Sequence, residues 1–202
     1  MARVARVIPA GLQRGRDWQP LLEGAAAGAA VERIEAPGRR PTLRAGGVYL
    51  HSRYNPEEEA ARLLESAALD ADRPVLVFGL GLGYHVQALR ERGFDVTVCE
   101  PNPAVAHAAL QGPFDLSDVP IALGDGQSVA ALPALRAVAE AVPQILLHPP
   151  TLRLHEAWVG RVLEAVVDAA LRKRRLRVAI VGPMFGGSQP LLDYLARAFA
   201  AL

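Results

Sequence analysis

Four places in the chain carry residue types that can do chemistry. The first is a glycine series. Gly79, Gly81 and Gly83 alternate with leucines after the apolar run Val75–Phe78, and Tyr84 and His85 follow. A glycine-rich turn lets the backbone approach a ligand closely, and a helix that follows it presents free N–H groups. The sixth place of a dinucleotide fingerprint would be glycine, but here it is Tyr84. That shifts the reading from NAD toward an S-adenosyl or nucleoside ligand. The alternative is a tight strand-to-helix turn without a ligand. The second is Glu100, at the end of the next strand. A carboxylate there can accept both ribose hydroxyls of a nucleotide; alternatively it is a solvated acid before Pro101. The third is Asp125, between Gly124 and Gly126. It can meet an exocyclic amine such as adenine's, or simply cap the next helix. The fourth is His148, before Pro149 and Pro150. It can act as an acid or base, or stand as a polar strand end. His51, His107 and His155 show no metal-ligand spacing, so no metal is predicted. Cys99 reads as a small core residue rather than a nucleophile.

The elements that must position these residues follow from the pattern. Asn55, Pro56 and the run Glu57–Glu59 read as a helix cap and first turn, with Ala60, Leu63, Leu64 and Ala67 at helical spacing. From Pro74 onward strands and helices alternate. Strands are predicted at Val75–Phe78, Asp95–Cys99, Val119–Leu123, Gln144–Leu147 and Arg177–Val181. Helices are predicted at Tyr84–Arg92, Pro103–Leu110, a stretch to Val142 restarted at Pro133, Leu154–Arg174 and Pro190–Leu202. Such alternation predicts an α/β fold with a doubly wound, mostly parallel sheet. Before it, Thr42–His51 reads as a β-hairpin around Gly46 and Gly47. The expected division is a β appendage over 1–50, a Rossmann-like ligand-binding domain over 51–176 and a final strand–helix unit over 177–202.

Composition narrows the function classes. The chain has 202 residues, of which 51% are hydrophobic, with a net charge of +1. A near-neutral chain offers no broad field for nucleic acid or an anionic membrane, and few aromatics are available for base stacking. One cysteine excludes an intrachain disulfide and a multi-thiolate zinc site. No apolar run approaches the roughly 20 residues of a membrane span, and no secretory signal is visible. The expectation is a cytoplasmic protein that binds a small nucleoside-type molecule. Lys173 is the sole lysine among 22 basic residues, and the chain is rich in alanine, which reads as a GC-rich genome.

At these residues the chain resembles known families. Gly79, Gly81, Gly83, Glu100 and Asp125 resemble the ligand positions of class I S-adenosylmethionine-dependent methyltransferases. The resemblance implies glycines beside the methionine part, Glu100 on ribose and Asp125 near adenine. Many such enzymes carry an acid two residues before the first glycine, where this chain has Val77. The Gly124–Gly126 segment and the hairpin also resemble spermidine synthases. His148 and the prolines replace that family's catalytic Asp, which argues against aminopropyl transfer. A closer resemblance runs from about residue 49 to 155. Leu50–Pro56, Phe78–His85, Glu100–Asn102 and His148–Pro150 resemble the bacterial motility accessory factors, which include flagellin glycosyltransferases and are related to 6-hydroxymethylpterin diphosphokinase-like proteins. This implies a transferase setting with a nucleotide-type ligand. Arg177–Ser188 resembles the opening strand and glycine loop of a GT-B glycosyltransferase, so the chain reads as the N-terminal part of a longer enzyme.

Three functions follow as expectations. The first is a domain that binds S-adenosylmethionine or a nucleotide such as a nucleotide sugar, attached to a bacterial glycosyltransferase. The second is a stand-alone methyltransferase with a base near His148. The third is a non-catalytic module for positioning or homodimerisation, with a blocked pocket beside Gly81.

Overall fold

The computed structural model describes residues 10–23, 31–35, 38 and 40–172. The expected strand–loop–helix at Arg177–Leu202, and the boundary at 177, lie outside those residues. The described chain runs β1 (Gly11–Arg14), α1 (Gly15–Leu22), β2 (Val31–Ile34), β3 (Thr42–Ala45), β4 (Val48–Tyr49) and α2 (Pro56–Ala67). It continues with β5 (Val75–Phe78), α3 (Tyr84–Glu91), β6 (Val96–Glu100), α4 (Pro103–Leu110), β7 (Pro120–Leu123) and α5 (Gly126–Ala130). It ends with α6 (Pro133–Glu140), β8 (Gln144–Leu147) and α7 (Pro149–Arg172).

The fold is α/β around a mixed, mostly parallel sheet in the order β1-β7-β6-β5-β8. Neighbours among β5 to β8 are parallel, and β1 runs antiparallel to β7. Numbered from β5 as the first parallel strand, the order is third, second, first, fourth, the doubly wound Rossmann-like arrangement. The chain reverses direction across the sheet between β5 and β8, so a topological switch point lies at their C-terminal ends.

The alternation of side chains along each strand builds three layers. Val75, Val77, Val98, Ile121 and Leu146 face one side, against Trp18, Leu64, Val86, Leu89 and Ala106. Leu76, Phe78, Cys99, Ala122 and Leu147 face the other, against Leu135, Ala139, Val159 and Leu163. The central strands are apolar throughout because both faces are covered.

Two features differ from the sequence reading. The segment before residue 50 is not one β appendage. Its β1 joins the large sheet, while β2, β3 and β4 form a separate antiparallel sheet. The small sheet packs Leu43, Ala45 and Leu50 over Ala60, Leu82 and Tyr84. Also, α7 begins at Pro149, ahead of the predicted Leu154, and kinks at His155 (φ −135°, ψ 35°). Prolines suit a first helical turn, where no N–H bond is needed.

Trp18 ties β1 and α1 to the sheet. It is fully buried, and its indole N–H donates to the carbonyl of Ile121 at 2.8 Å. Trp18→Ala is expected to cost about 3–5 kcal/mol. Urea unfolding checks this, and a loss below about 1 kcal/mol would show that the N-terminal unit is not part of the cooperative core.

Candidate functional site

The glycine series forms the turn from β5 into α3 at the switch point. Gly79 and Gly81 have φ of +101° and +52°, conformations that side chains rarely adopt. Their open sides are also filled. A Cβ on Gly79 would lie 2.2 Å from the Thr151 hydroxyl, and one on Gly81 would lie 2.2 Å from His51 Nε2. The close approach that glycine permits is therefore taken up by the chain's own side chains, and the whole loop from Gly79 to Gly83 is buried.

The amides of the loop are engaged as well. Leu82 N–H donates to His51 Nε2 at 2.8 Å, and Leu80 N–H donates to Glu100 Oε2 at 2.7 Å. The other Glu100 oxygen accepts Asn102 N–H at 2.8 Å. Glu100 is only 1% exposed. Burial pushes its carboxyl up to about 7, against the two N–H bonds that favour the charged form. Glu100 thus latches the glycine loop to β6. A carboxylate has about four lone-pair sites, so the two N–H bonds leave acceptor capacity on Glu100.

Three histidines close the switch point from three segments. His51 arrives from the small sheet, where the Thr42 hydroxyl brackets it by donating to His51 O (3.0 Å) and accepting from His51 N–H (3.2 Å). His85 sits in α3, its Nε2 2.9 Å from Gly79 O. His148 ends β8, its Nδ1 2.8 Å from the Thr151 hydroxyl. The His85 and His148 rings stack with centroids 4.7 Å apart, and the His51 ring lies 5.2 Å from His148. All three are buried. Burial lowers His85 to about 4 and takes His51 and His148 well below the usual histidine value, with the neighbouring histidines adding to the effect. At neutral pH His148 is an uncharged imidazole, suited to a base rather than to an acid.

The structure brings Gly79, Gly81, Gly83, Glu100 and His148 to one edge. Asp125 lies at the same sheet edge but is exposed, and its Oδ1 accepts the N–H groups of Gln127 and Ser128 at 3.1 and 2.9 Å. That is the helix-capping geometry. His51, His85 and Thr151 also border the site; the sequence reading set His51 aside for lack of metal-ligand spacing, took His85 only as the end of the glycine motif and did not name Thr151. The available signal was their position, because each borders one of the motifs at a strand end. The cavities of about 210 Å³ beside Leu135 and Arg172, and of about 220 Å³ beside Leu64 and Phe94, do not border this loop.

No family model and no curated protein matches the chain. A solved structure of MnmC2 from Aquifex aeolicus is similar at 12% identity and a TM-score of 0.36, with 86% of each chain covered.

Two outcomes are expected. Gly81→Ala combines a positive φ with overlap on His51, and should cost about 2–4 kcal/mol in urea unfolding. In the double mutant with His51→Ala the overlap is gone, so the two effects should be non-additive by about 1 kcal/mol or more; additive costs would contradict the close packing. The pH dependence carries opposite signs. His85 contributes stability that is full above pH 6.5 and is lost as pH falls toward about 4, and the lowered His51 and His148 act in the same direction. The raised Glu100 contributes stability that is full below pH 4.5 and is lost as pH rises through about 7. The stability advantage of wild type over Glu100→Gln should therefore shrink between pH 5 and pH 8. Unfolding midpoints at both pH values check it, and a constant difference would show that Glu100 does not titrate in this range.

Proposed function

We propose that the chain is a ligand-binding domain of a transferase, taking an S-adenosyl or nucleotide-type molecule at the switch point, in its closed conformation. One observation carries the reading. The glycine turn, Glu100 and His148 converge at the crevice position of a doubly wound sheet, among buried groups with strongly shifted pKa values. Ligands of such folds bind at the C-terminal ends of the strands, and shifted titrations cluster at functional sites. Three imidazoles and a carboxylic acid are an expensive filling for a core whose only task is packing.

In this reading His51 is the plug. Its imidazole takes the Leu82 amide and fills the open side of Gly81, the place a ligand would occupy. Withdrawal of the small sheet that carries His51 frees both. Glu100 would then turn its spare lone pairs to ribose hydroxyls, and neutral His148 would serve as base. The resemblance to motility accessory factors supports a glycosyltransferase context within a bacterial cytoplasm, with a nucleotide sugar as the ligand, or S-adenosylmethionine as the alternative.

A second reading has its own observation. The Leu80 and Leu82 amides are satisfied within the chain, which favours a non-catalytic module that keeps the fold for positioning or dimerisation. Calorimetry separates the two. Chelator-treated protein is titrated with S-adenosylmethionine, S-adenosylhomocysteine, UDP-glucose and CMP-sialic acid. One of these should bind, His51→Ala should bind it more tightly, and Glu100→Ala should lose about 1–3 kcal/mol. Absence of binding by both wild type and His51→Ala would favour the non-catalytic module.

A further inference from the structure

The three histidines have a second chemical capacity, which shares His51 and His148 with the proposed ligand site. One ring nitrogen from each of His51, His85 and His148 lies within 4.8 Å of the other two. We propose that this trio binds one zinc ion, with water in the fourth position.

The donor set selects the ion class. Imidazole nitrogens suit zinc and its transition-metal neighbours, whereas magnesium and calcium take oxygen ligands. Three histidines with one open position is a tetrahedral zinc arrangement.

The surrounding bonds supply orientation. Metal-bound histidines characteristically anchor the nitrogen that does not bind the ion. His85 Nε2 faces Gly79 O at 2.9 Å. A carbonyl can only accept, so Nε2 carries the proton and the His85 lone pair resides on Nδ1. His148 Nδ1 faces the Thr151 hydroxyl at 2.8 Å, and a hydroxyl can either donate or accept. His148 also hydrogen-bonds the Leu50 backbone carbonyl, so one of its two ring bonds, to Leu50 or to Thr151, is exchanged when it coordinates. His51 Nε2 accepts Leu82 N–H at 2.8 Å, so that bond is exchanged when His51 coordinates. On the solvent side, the carboxylate of half-exposed Glu59 lies 4.0 Å from His51 Nδ1, a favourable approach for a cation.

Loading requires a modest contraction. Ligands about 2.0–2.1 Å from a tetrahedral zinc are roughly 3.3 Å from one another. The rings of His85 and His148 are nearly parallel, at 13°, so one must turn for both lone pairs to meet. The histidine χ2 torsion is broad, and the ring that turns exchanges its bond to Gly79 O or to the Thr151 hydroxyl for the ion.

The test uses the whole chain, stripped with a chelator and then titrated with Zn²⁺ against a chromophoric competitor. The expected result is one zinc per chain with a rise in unfolding temperature. Co²⁺ in its place should give the intense visible bands of a tetrahedral site. His85→Asn and His148→Asn should each weaken zinc binding about tenfold or more, while His107→Asn, away from the trio, leaves it unchanged. If either variant fails to fold, X-ray absorption of zinc-loaded wild type decides by counting imidazole ligands. Substoichiometric zinc, fewer than three imidazoles, or full binding by a folded His85→Asn/His148→Asn variant overturns the proposal. The nucleoside titrations use chelator-treated protein, so failure of one reading leaves the other standing.

Discussion

The hydrogen bond from Leu82 N–H to His51 Nε2 is the contact on which the site depends. It joins the small sheet to the turn between β5 and α3. Gly81 makes it geometrically possible, because any Cβ there would occupy the imidazole's position. The glycine turn brings its backbone close to a side chain from the same molecule. The energetic logic is that of buried polar groups generally. An amide left without a partner in an apolar environment is costly, so the closed loop supplies partners from His51 and Glu100. No buried side-chain nitrogen or oxygen among the described residues lacks a hydrogen-bond partner.

The small sheet is therefore more than an appendage. Its strands β2, β3 and β4 cover α2, α3 and α4 through Leu43, Leu50, Tyr84 and Val105. The Tyr84 hydroxyl donates to Pro41 O at 2.7 Å, and Thr42 fixes the backbone of His51 from both sides. The large sheet builds the edge, and the small sheet covers it. In the proposed opening the apolar contacts of the small sheet and the polar contacts of His51 would be lost together.

The buried titratable groups oppose one another. Desolvation holds the imidazoles neutral and raises the carboxyl of Glu100 toward neutrality. Below neutral pH the closed site therefore carries little charge. A ligand or ion that enters must replace these internal bonds with its own.

Much of the fold was legible in the sequence. β5 and β8 have apolar positions on both faces, and the residues between them carry helix caps and alternation, so the parallel sheet follows from local pattern. Asn55 and Asn102 cap their helices with side-chain bonds to Glu58 N–H and Ala104 N–H, as their types require. The elements before residue 50 were harder to read, because β1 and β2 are four residues each and α1 contains Pro20. Their order comes from tertiary contacts such as the Trp18 bond to Ile121. The glycine turn, Glu100 and His148 could be placed at one edge, because parallel strands deliver their ends together. What only the tertiary structure decided is the occupant of that edge. His51 and His85 are distant from His148 in sequence, and no local spacing joins them. Their meeting depends on how the small sheet docks on the large one, a long-range packing outcome that no short window of sequence encodes.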